Sequence, residues 1–228
     1  MKLKTIHLAA LTWVAAASIS FAAATVSYNT YTATSSTDTS WITNPAGSTQ
    51  VAAFNVGSAT DTSYGGVDWV GANVSKTSGG ISFNYYQPGT WASQASVFYS
   101  GTTLLNDGAY WSFNTGAQVH LDGFTVGQKY LVQFVFADKR YDGGTITLQG
   151  ASGVSGSSTT TRYSYTDGRY LVVNAEFTAD TANTSWIPNV GASEGEQLNA
   201  IRIVAIPEPH AALLGGLGML VLLRRRRA

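Results

Sequence analysis

The chain has 228 residues, no cysteine, 44% hydrophobic residues and 12% aromatic residues. This composition is too apolar for a disordered chain, and the missing cysteines exclude a disulfide framework and thiolate chemistry. The formal net charge is zero, but seven basic and twelve acidic residues leave residues 25–205 at about −5, which disfavours binding to nucleic acid.

The first 24 residues have the organisation of a secretory signal peptide. Lys2 and Lys4 form a basic start, an apolar run covers residues 8–21, and small residues close the segment. We predict export through the Sec translocon and cleavage by signal peptidase. The favoured cleavage follows Ala24, because Ala22 and Ala24 complete an A-x-A pattern, and cleavage after Ala22 is the alternative. A buried N-terminal helix is the competing interpretation.

Residues 25–205 follow as a single domain in which short strand patterns alternate with turn residues. An apolar period of 3.6 residues does not occur there, whereas alternating or aromatic-rich runs are separated by Gly, Asn and Asp. The predicted strands are 51–56, 67–70, 80–86, 109–113, 118–121, 129–137, 145–148, 161–165, 170–177 and 198–205. We predict an all-β fold: a two-layer antiparallel β-sandwich of jelly-roll type, flanked by the signal helix and a short C-terminal hydrophobic helix.

The predicted strand at 129–137 is apolar on both of its faces, since Tyr130 and Phe134 alternate with Leu131 and Val135. A strand of this kind is covered on both sides, so we predict a central position in the sandwich.

A loop with the sequence LDGFTVGQ, at 121–128, leads into this strand, which ends in an Asp-Lys-Arg turn at 138–140. The sequence LNAIRI, at 198–203, closes the domain. Together these segments resemble jelly-roll domains of the galactose-binding and malectin-like type. The resemblance implies the sandwich fold, and it transfers no ligand residue.

One histidine and three carboxylates are the candidates for chemistry in the domain. His120 lies in a predicted strand, where an ordinary sheet histidine is expected rather than a catalytic base. Asp122, Asp138 and Asp142 offer acids for a glycosidase pair, but Asp beside Gly at a strand end ordinarily caps a turn. We therefore predict no catalytic residue and no enzyme activity. Asp138 and Asp142 remain candidates for a Ca²⁺ site, and no other cofactor is expected.

Aromatic side chains offer flat surfaces on which the apolar face of a sugar ring can stack, although most of them must fill the core. The candidates are Trp69, Tyr85, Tyr86, Trp91, Tyr99, Tyr110 and Trp111.

The C-terminal segment, residues 206–228, has three parts. Pro207, Glu208 and Pro209 come first, then an apolar stretch at 211–223. The last part is a basic cluster of Arg224, Arg225, Arg226 and Arg227. Thirteen apolar residues in a helix extend about 20 Å, which is short of the roughly 30 Å of a hydrocarbon core. The arginines should remain cytoplasmic, which leaves the domain outside the cytoplasmic membrane.

This order of a Pro-Glu-Pro motif, a Gly-rich hydrophobic helix and terminal arginines resembles the PEP-CTERM sorting signal. The resemblance implies recognition by an exosortase, a transpeptidase-like membrane enzyme of Gram-negative bacteria that make extracellular polysaccharide. Ile206 precedes the motif where Val is commoner. An ordinary tail anchor is the alternative interpretation.

From these features we expect a protein of the cell surface or extracellular matrix, held transiently in the cytoplasmic membrane. The expected role is non-enzymatic and associated with exopolysaccharide or biofilm, with carbohydrate as the candidate ligand. An exported glycan-acting hydrolase and a purely structural surface module are the alternatives.

Overall fold

The computed structural model describes residues 23–73, 75–86, 93–95, 103–111, 118–137, 145–161, 169–190 and 196–207. These ranges form strands and a single helical turn, α1 at Thr103–Asn106. In the first half of the chain the strands are β1 Ala24–Thr25, β2 Ser27–Ala33, β3 Thr49–Val56, β4 Thr62–Tyr64, β5 Val67–Ala72, β6 Ser75–Ser78, β7 Ile81–Tyr86, β8 Ser93–Ala95 and β9 Asp107–Trp111. In the second half they are β10 Gln118–Asp122, β11 Lys129–Phe136, β12 Thr145–Ser152, β13 Val154–Ser155, β14 Ser157–Thr161, β15 Tyr170–Thr178, β16 Asn183–Val190 and β17 Glu196–Ile206.

Two large sheets build the domain. The six-stranded sheet has the order β14-β12-β16-β10-β7-β6, and the nine-stranded sheet contains the path β2-β15-β11-β17-β3-β5-β4. In the larger sheet, β9 pairs with the first residues of β17 and carries β8 on its other side. The short β1 and β13 form a separate pair. The predicted all-β sandwich is therefore confirmed.

Side chains from the two sheets meet in one large apolar core. Phe54 of β3 packs on Phe83 of β7 with ring centroids 5.5 Å apart, and Phe134 of β11 packs edge-on against Trp186 of β16 at 5.3 Å. All four side chains are buried. Burial of each large apolar side chain contributes roughly 1.5–3 kcal/mol, so contacts of this kind hold the two layers together.

A second apolar cluster lies on the outer face of the nine-stranded sheet. Residues 34–48, which we call the strap, run between β2 and β3 and place Trp41 in this cluster. The indole of Trp41 lies 6.0 Å from that of Trp69 and 6.4 Å from the ring of Tyr170. Val135 of β11 belongs to the same cluster. The nine-stranded sheet is thus partly covered on both faces.

The structure departs from the predicted fold in its strand directions, and it contains several strands that were not predicted, among them the long β2 and β16. β3 pairs with β5, and β1 with β13, in parallel, so the sandwich is not wholly antiparallel. β2 was not predicted because its alternating positions carry Thr, Asn and Tyr rather than aliphatic residues. β16 was not predicted because it contains Pro188. The ladder of β16 with β10 ends at Trp186, before the proline, whereas on the other side Pro188 lies opposite Leu148 of β12.

The flanking helices that the sequence predicts fall on residues 1–22 and 208–228, which lie outside the described ranges. Within those ranges, no helix has the length and apolar character needed to cross a membrane.

Candidate functional site

Arg202 is the central residue of a polar site on the outer face of the nine-stranded sheet. In β17 the side chains of Ile201 and Ile203 enter the core between the sheets, so the alternation of a strand directs Arg202 to the opposite face. Only 1% of Arg202 is exposed. The sequence therefore buries a guanidinium group in the otherwise apolar run at 200–206.

Four oxygen atoms accept hydrogen bonds from this guanidinium group. Nε donates to Oε1 of Gln50 at 2.9 Å, and Nη1 donates to Oε1 of Gln133 at 2.8 Å and to the carbonyl of Thr43 at 3.3 Å. Nη2 donates to Oδ1 of Asn44. Within the described ranges, no carboxylate lies within salt-bridge distance of Arg202. Its partners are therefore neutral, and its positive charge is not cancelled by direct contact.

A β-bulge explains why Gln50 reaches this face. Ala52 lies opposite Ile203, but the register then shifts, so that Gln50 rather than Val51 lies opposite Val204. Without the shift, Gln50 would point to the same side as Ala52, into the core between the sheets. Bulges commonly re-aim a side chain in this way. Here the bulge turns Gln50 toward Arg202.

Arg202 also fixes the orientation of the amides around it. A guanidinium group has donors and no acceptor, so each amide must turn its oxygen toward Arg202. The amide NH₂ groups of Asn44 and Gln50 therefore point away from Arg202. Asn44 is exposed and Gln50 is half-buried, so these NH₂ groups lie at the protein surface.

The third amide, that of Gln133, begins an amide row of Gln133, Asn174 and Asn29, which crosses β11, β15 and β2. Gln133 donates from Nε2 to the carbonyl of Trp41 and to Oδ1 of Asn174, each at 2.9 Å. Asn174 in turn donates to Oδ1 of Asn29 at 2.7 Å. The row follows the register, because Arg202 lies opposite Gln133, Gln133 opposite Asn174, and Asn174 opposite Asn29.

The strap supplies Thr43 and Asn44 to the site, and Asp38 holds the strap in its conformation. Its carboxylate accepts from the backbone N–H groups of Thr34 at 2.9 Å and Ser40 at 3.0 Å. Burial raises the pKa of Asp38, but these hydrogen bonds outweigh burial and lower the pKa to about 2.

Three tyrosines complete the anchorage of the strap. Tyr31 donates to the Asp38 carboxylate at 3.0 Å, whereas Tyr64 and Tyr170 donate to its main-chain carbonyl. Burial raises the pKa of both Tyr64 and Tyr170, so these two phenols remain protonated donors. The loop that carries Asn44 is thereby tied to three separate strands.

An open pocket with a volume of about 430 Å³ adjoins Arg202. It is lined by Ile42, Asn44, Gln50, Gly65, Gly66, Val67, Asp68 and Arg202. Gly65 and Gly66 form the two-residue hairpin turn between β4 and β5, with φ of 62° and 74°, which glycine adopts without strain. A Cβ atom on Gly66 would meet nothing within 4 Å. Asp68 follows on β5 as the carboxylate of the pocket lining, and it is exposed.

The residues selected from the sequence lie elsewhere. Asp138 and Asp142 fall outside the described ranges, and in the part of the chain that the structure describes no three His, Asp or Glu residues are grouped as metal ligands. Asp122 is exposed on β10. His120 lies on β10 between Asn84 and Ser185 of the neighbouring strands, away from the pocket.

Most of the predicted sorting and cleavage residues also lie outside the described ranges, and one aromatic candidate is buried. Ala24 is described in β1, and Pro207 is the last residue described; Ala22 lies outside the described ranges, as do Glu208, Pro209, Arg224, Arg225, Arg226 and Arg227. Trp69, a candidate stacking surface, is fully buried in the cluster beneath the strap.

No family model and no curated protein matches the chain. Among solved structures, a β-glucuronidase of Bacteroides uniformis aligns with 17% identity and a TM-score of 0.47 over 68% of this chain and 18% of that one. An exo-β-1,3-galactanase of Phanerochaete chrysosporium, with bound β-1,3-galactotriose, aligns with 14% identity and a TM-score of 0.35 over 61% and 31% of the two chains. The module Xyl-CBM35, in complex with a disaccharide containing glucuronic acid, gives 12% and 0.34 over 54% and 97%. This chain thus spans about a fifth of the β-glucuronidase.

One sequence-based prediction requires correction at this point. The chain was predicted not to be an enzyme, but glycoside hydrolases are among the structures that align with it. The prediction relied on local sequence context, in which His120 is an ordinary sheet residue and the aspartates cap turns, and local context does not show which carboxylates meet on a β-sandwich. Acids that meet across such a sheet come from distant strands and leave no characteristic spacing in the sequence.

Proposed function

We propose that this chain is an exported, glycan-directed protein whose pocket beside Arg202 binds a sugar residue. The observation that carries the proposal is the orientation of the amides of Asn44 and Gln50. Arg202 holds their oxygens, so their NH₂ donors are presented at the pocket, which also contains the acceptor carboxylate of Asp68.

Sugars match this combination of groups. Each hydroxyl group of a sugar both donates and accepts hydrogen bonds, so a ring with several hydroxyls can use amide donors and a carboxylate acceptor at once. Hydrogen bonds to charged acceptors are the stronger ones, so Asp68 should contribute most to affinity. The pocket volume of about 430 Å³ lies within the range of small-molecule sites, roughly 300–1,000 Å³.

The sequence supports a place for this activity outside the cytoplasmic membrane. The signal peptide predicts export, and the resemblance of residues 206–228 to a PEP-CTERM tail predicts handling by an exosortase. Such systems belong to bacteria that make extracellular polysaccharide. The protein would then meet glycan at the cell surface or in the matrix.

Hydrolysis of the bound glycan is the second candidate function, because the pocket contains a carboxylate. A glycosidase needs two carboxyl groups about 5–9.5 Å apart, so Asp68 would have to act with a second acid. Measurement of released reducing ends alongside glycan binding distinguishes hydrolysis from binding alone.

The test is a glycan-array screen of the purified protein, with and without calcium, followed by calorimetric titration of the glycans that bind. Asp68→Asn removes the charged acceptor at an exposed position, and we expect it to weaken binding at least tenfold. Asp122→Asn is the matched control, since Asp122 is an exposed strand aspartate on the other sheet. Binding that is equal in the wild type and both variants would overturn the proposal.

A further inference from the structure

The charge of Arg202 is the feature of the pocket that a neutral sugar leaves unused. Within the part of the chain that the structure describes, its acceptors are three side-chain amides and one main-chain carbonyl, all of them neutral. Proteins rarely bury a charge without a counter-charge, because removing an ion from water costs more than neutral hydrogen bonds return. A ligand with a negative charge would supply the missing partner.

We infer that the sugar bound in this pocket carries a carboxylate, as in a uronic acid, and that Arg202 together with the amides of Asn44 and Gln50 determines this preference. The inference rests on the proposed function, and it adds the charge of the ligand. The carboxylate would accept hydrogen bonds from the two NH₂ groups. The ring hydroxyls would donate to Asp68.

Arg202 lines the pocket, but only 1% of the residue is exposed, so a ligand has little direct access to it. Its role is electrostatic and also one of positioning. The amides of Asn44 and Gln50, which it orients and which also line the pocket, carry the contact. The amides of Asn44 and Gln50 thus present dipoles whose positive ends already point toward the ligand carboxylate.

Asp68 also lines the pocket, and its negative charge opposes an anionic ligand. Its exposure weakens that opposition, because charges in contact with water interact through an effective dielectric constant near 80 and are screened by salt. Arg202 acts from the protein interior, where the effective value is closer to 20. At comparable distances the attraction therefore exceeds the repulsion.

Arg202 remains charged under all ordinary conditions. Burial lowers the pKa of the guanidinium, but arginine ordinarily titrates above pH 12 and is not deprotonated in proteins. The attraction from Arg202 should therefore persist across the neutral range.

The experiment compares matched sugars on the full-length protein by calorimetric titration. The probes are disaccharides that contain glucuronic or galacturonic acid, their methyl esters, and the corresponding glucose and galactose disaccharides. We expect the esters and the neutral sugars to bind at least tenfold more weakly than the acids.

Two variants test the residues involved. Asn44→Asp replaces an outward NH₂ group by an oxygen and gives Arg202 a counter-charge, and it keeps the shape of the side chain. We expect it to abolish the preference for acids over neutral sugars. Asn29→Asp is the matched control, because Asn29 is also exposed but lies at the far end of the amide row. It should leave the preference unchanged.

The outcomes separate this inference from the proposed function. Equal affinity for acidic and neutral sugars would overturn the inference and leave sugar binding intact. Failure of every sugar to bind would overturn both. Loss of the preference in Asn29→Asp as well as in Asn44→Asp would show that overall charge, rather than the pocket, determines it, and would also overturn the inference.

Discussion

Nη1 of Arg202 donates to Oε1 of Gln133 at 2.8 Å, across the ladder that joins the two central strands of the nine-stranded sheet. This contact sets the direction of the whole amide row. Because Gln133 accepts from Arg202 through its oxygen, its NH₂ group must face the other way, toward Asn174 and the carbonyl of Trp41. This side chain is therefore one of those that join the strap to the sheet.

Replacement of Gln133 should therefore destabilise the fold. Gln133→Leu leaves a donor of Arg202 and the acceptors of Trp41 and Asn174 without their partner in a buried place, which should cost about 2–3 kcal/mol of unfolding free energy. Denaturant unfolding measures this loss. Gln149→Leu is the control, since Gln149 is exposed on the other sheet and should change the unfolding free energy by less than about 0.5 kcal/mol. Equal effects would contradict the prediction.

Asp38 should make stability depend on pH in the acid range. Hydrogen bonds lower its pKa in the folded protein from an ordinary 3.8 to about 2. The contribution is therefore complete above about pH 4 and is lost as pH falls toward 2. After allowance for solvent screening of this half-buried group, it amounts to about 1 kcal/mol. We expect Asp38→Asn to lack this part of the acid destabilisation. Parallel stability profiles of the variant and the wild type between pH 4 and pH 2 would refute the role of Asp38.

The two signal cleavage sites should give mature chains of different stability. Ala24 is buried, its N–H donates to the carbonyl of Gly153 at 3.2 Å, and its carbonyl accepts from Ser155 Oγ at 3.2 Å. A chain that begins at Thr25 loses these contacts, whereas one that begins at Ala23 keeps them. We expect the longer chain to be more stable by about 1–2 kcal/mol, from one buried methyl group and the hydrogen bonds. Thermal unfolding of both chains tests this, and identical midpoints would argue against it. N-terminal sequencing of the exported protein identifies the cleavage site that the cell uses.

The Pro-Glu-Pro motif should control the fate of the protein in a host with an exosortase. Replacing Pro207, Glu208 and Pro209 with Ala leaves the apolar stretch and the arginines intact. Since that stretch is marginal for spanning a membrane, recognition of the motif should matter more than anchoring. We expect the variant to accumulate unprocessed in the cytoplasmic membrane while the wild type reaches the surface or medium. The control replaces Gly215, Gly216 and Gly218 with Ala and keeps the motif. Identical fractionation of the wild type and the motif variant would indicate a plain anchor.

Local patterns in the sequence were sufficient to predict much of the sandwich. The strand at 129–137 was predicted to be central because both of its faces are apolar, and β11 indeed lies between β15 and β17. β16 was not predicted because a proline ordinarily argues against a central strand. In the structure the ladder between β16 and β10 ends at Trp186, before Pro188, and β16 accommodates the proline. That relationship depends on another strand, and so it is not encoded locally.

The pocket could not be predicted in the same way. Asn44, Gln50, Asp68 and Arg202 come from the strap and three different strands, and only the folded sheet brings them together. The bulge that turns Gln50 outward depends on pairing with β17 and leaves no pattern in β3. One local signal did exist: Arg202 lies between Ile201 and Ile203 in a run, residues 200–206, that is otherwise apolar. A lone arginine in such a strand must have acceptors that face it.

The position of β17 constrains the order in which the domain can be completed during synthesis. This strand is the last of the described chain, yet it pairs with β11 on one side and with β3 and β9 on the other. The strands β3 and β11 therefore lack the strand that lies between them until nearly all of the domain has been made. Closing such distant pairings is slow, which would keep the chain unfolded long enough for the export that we propose.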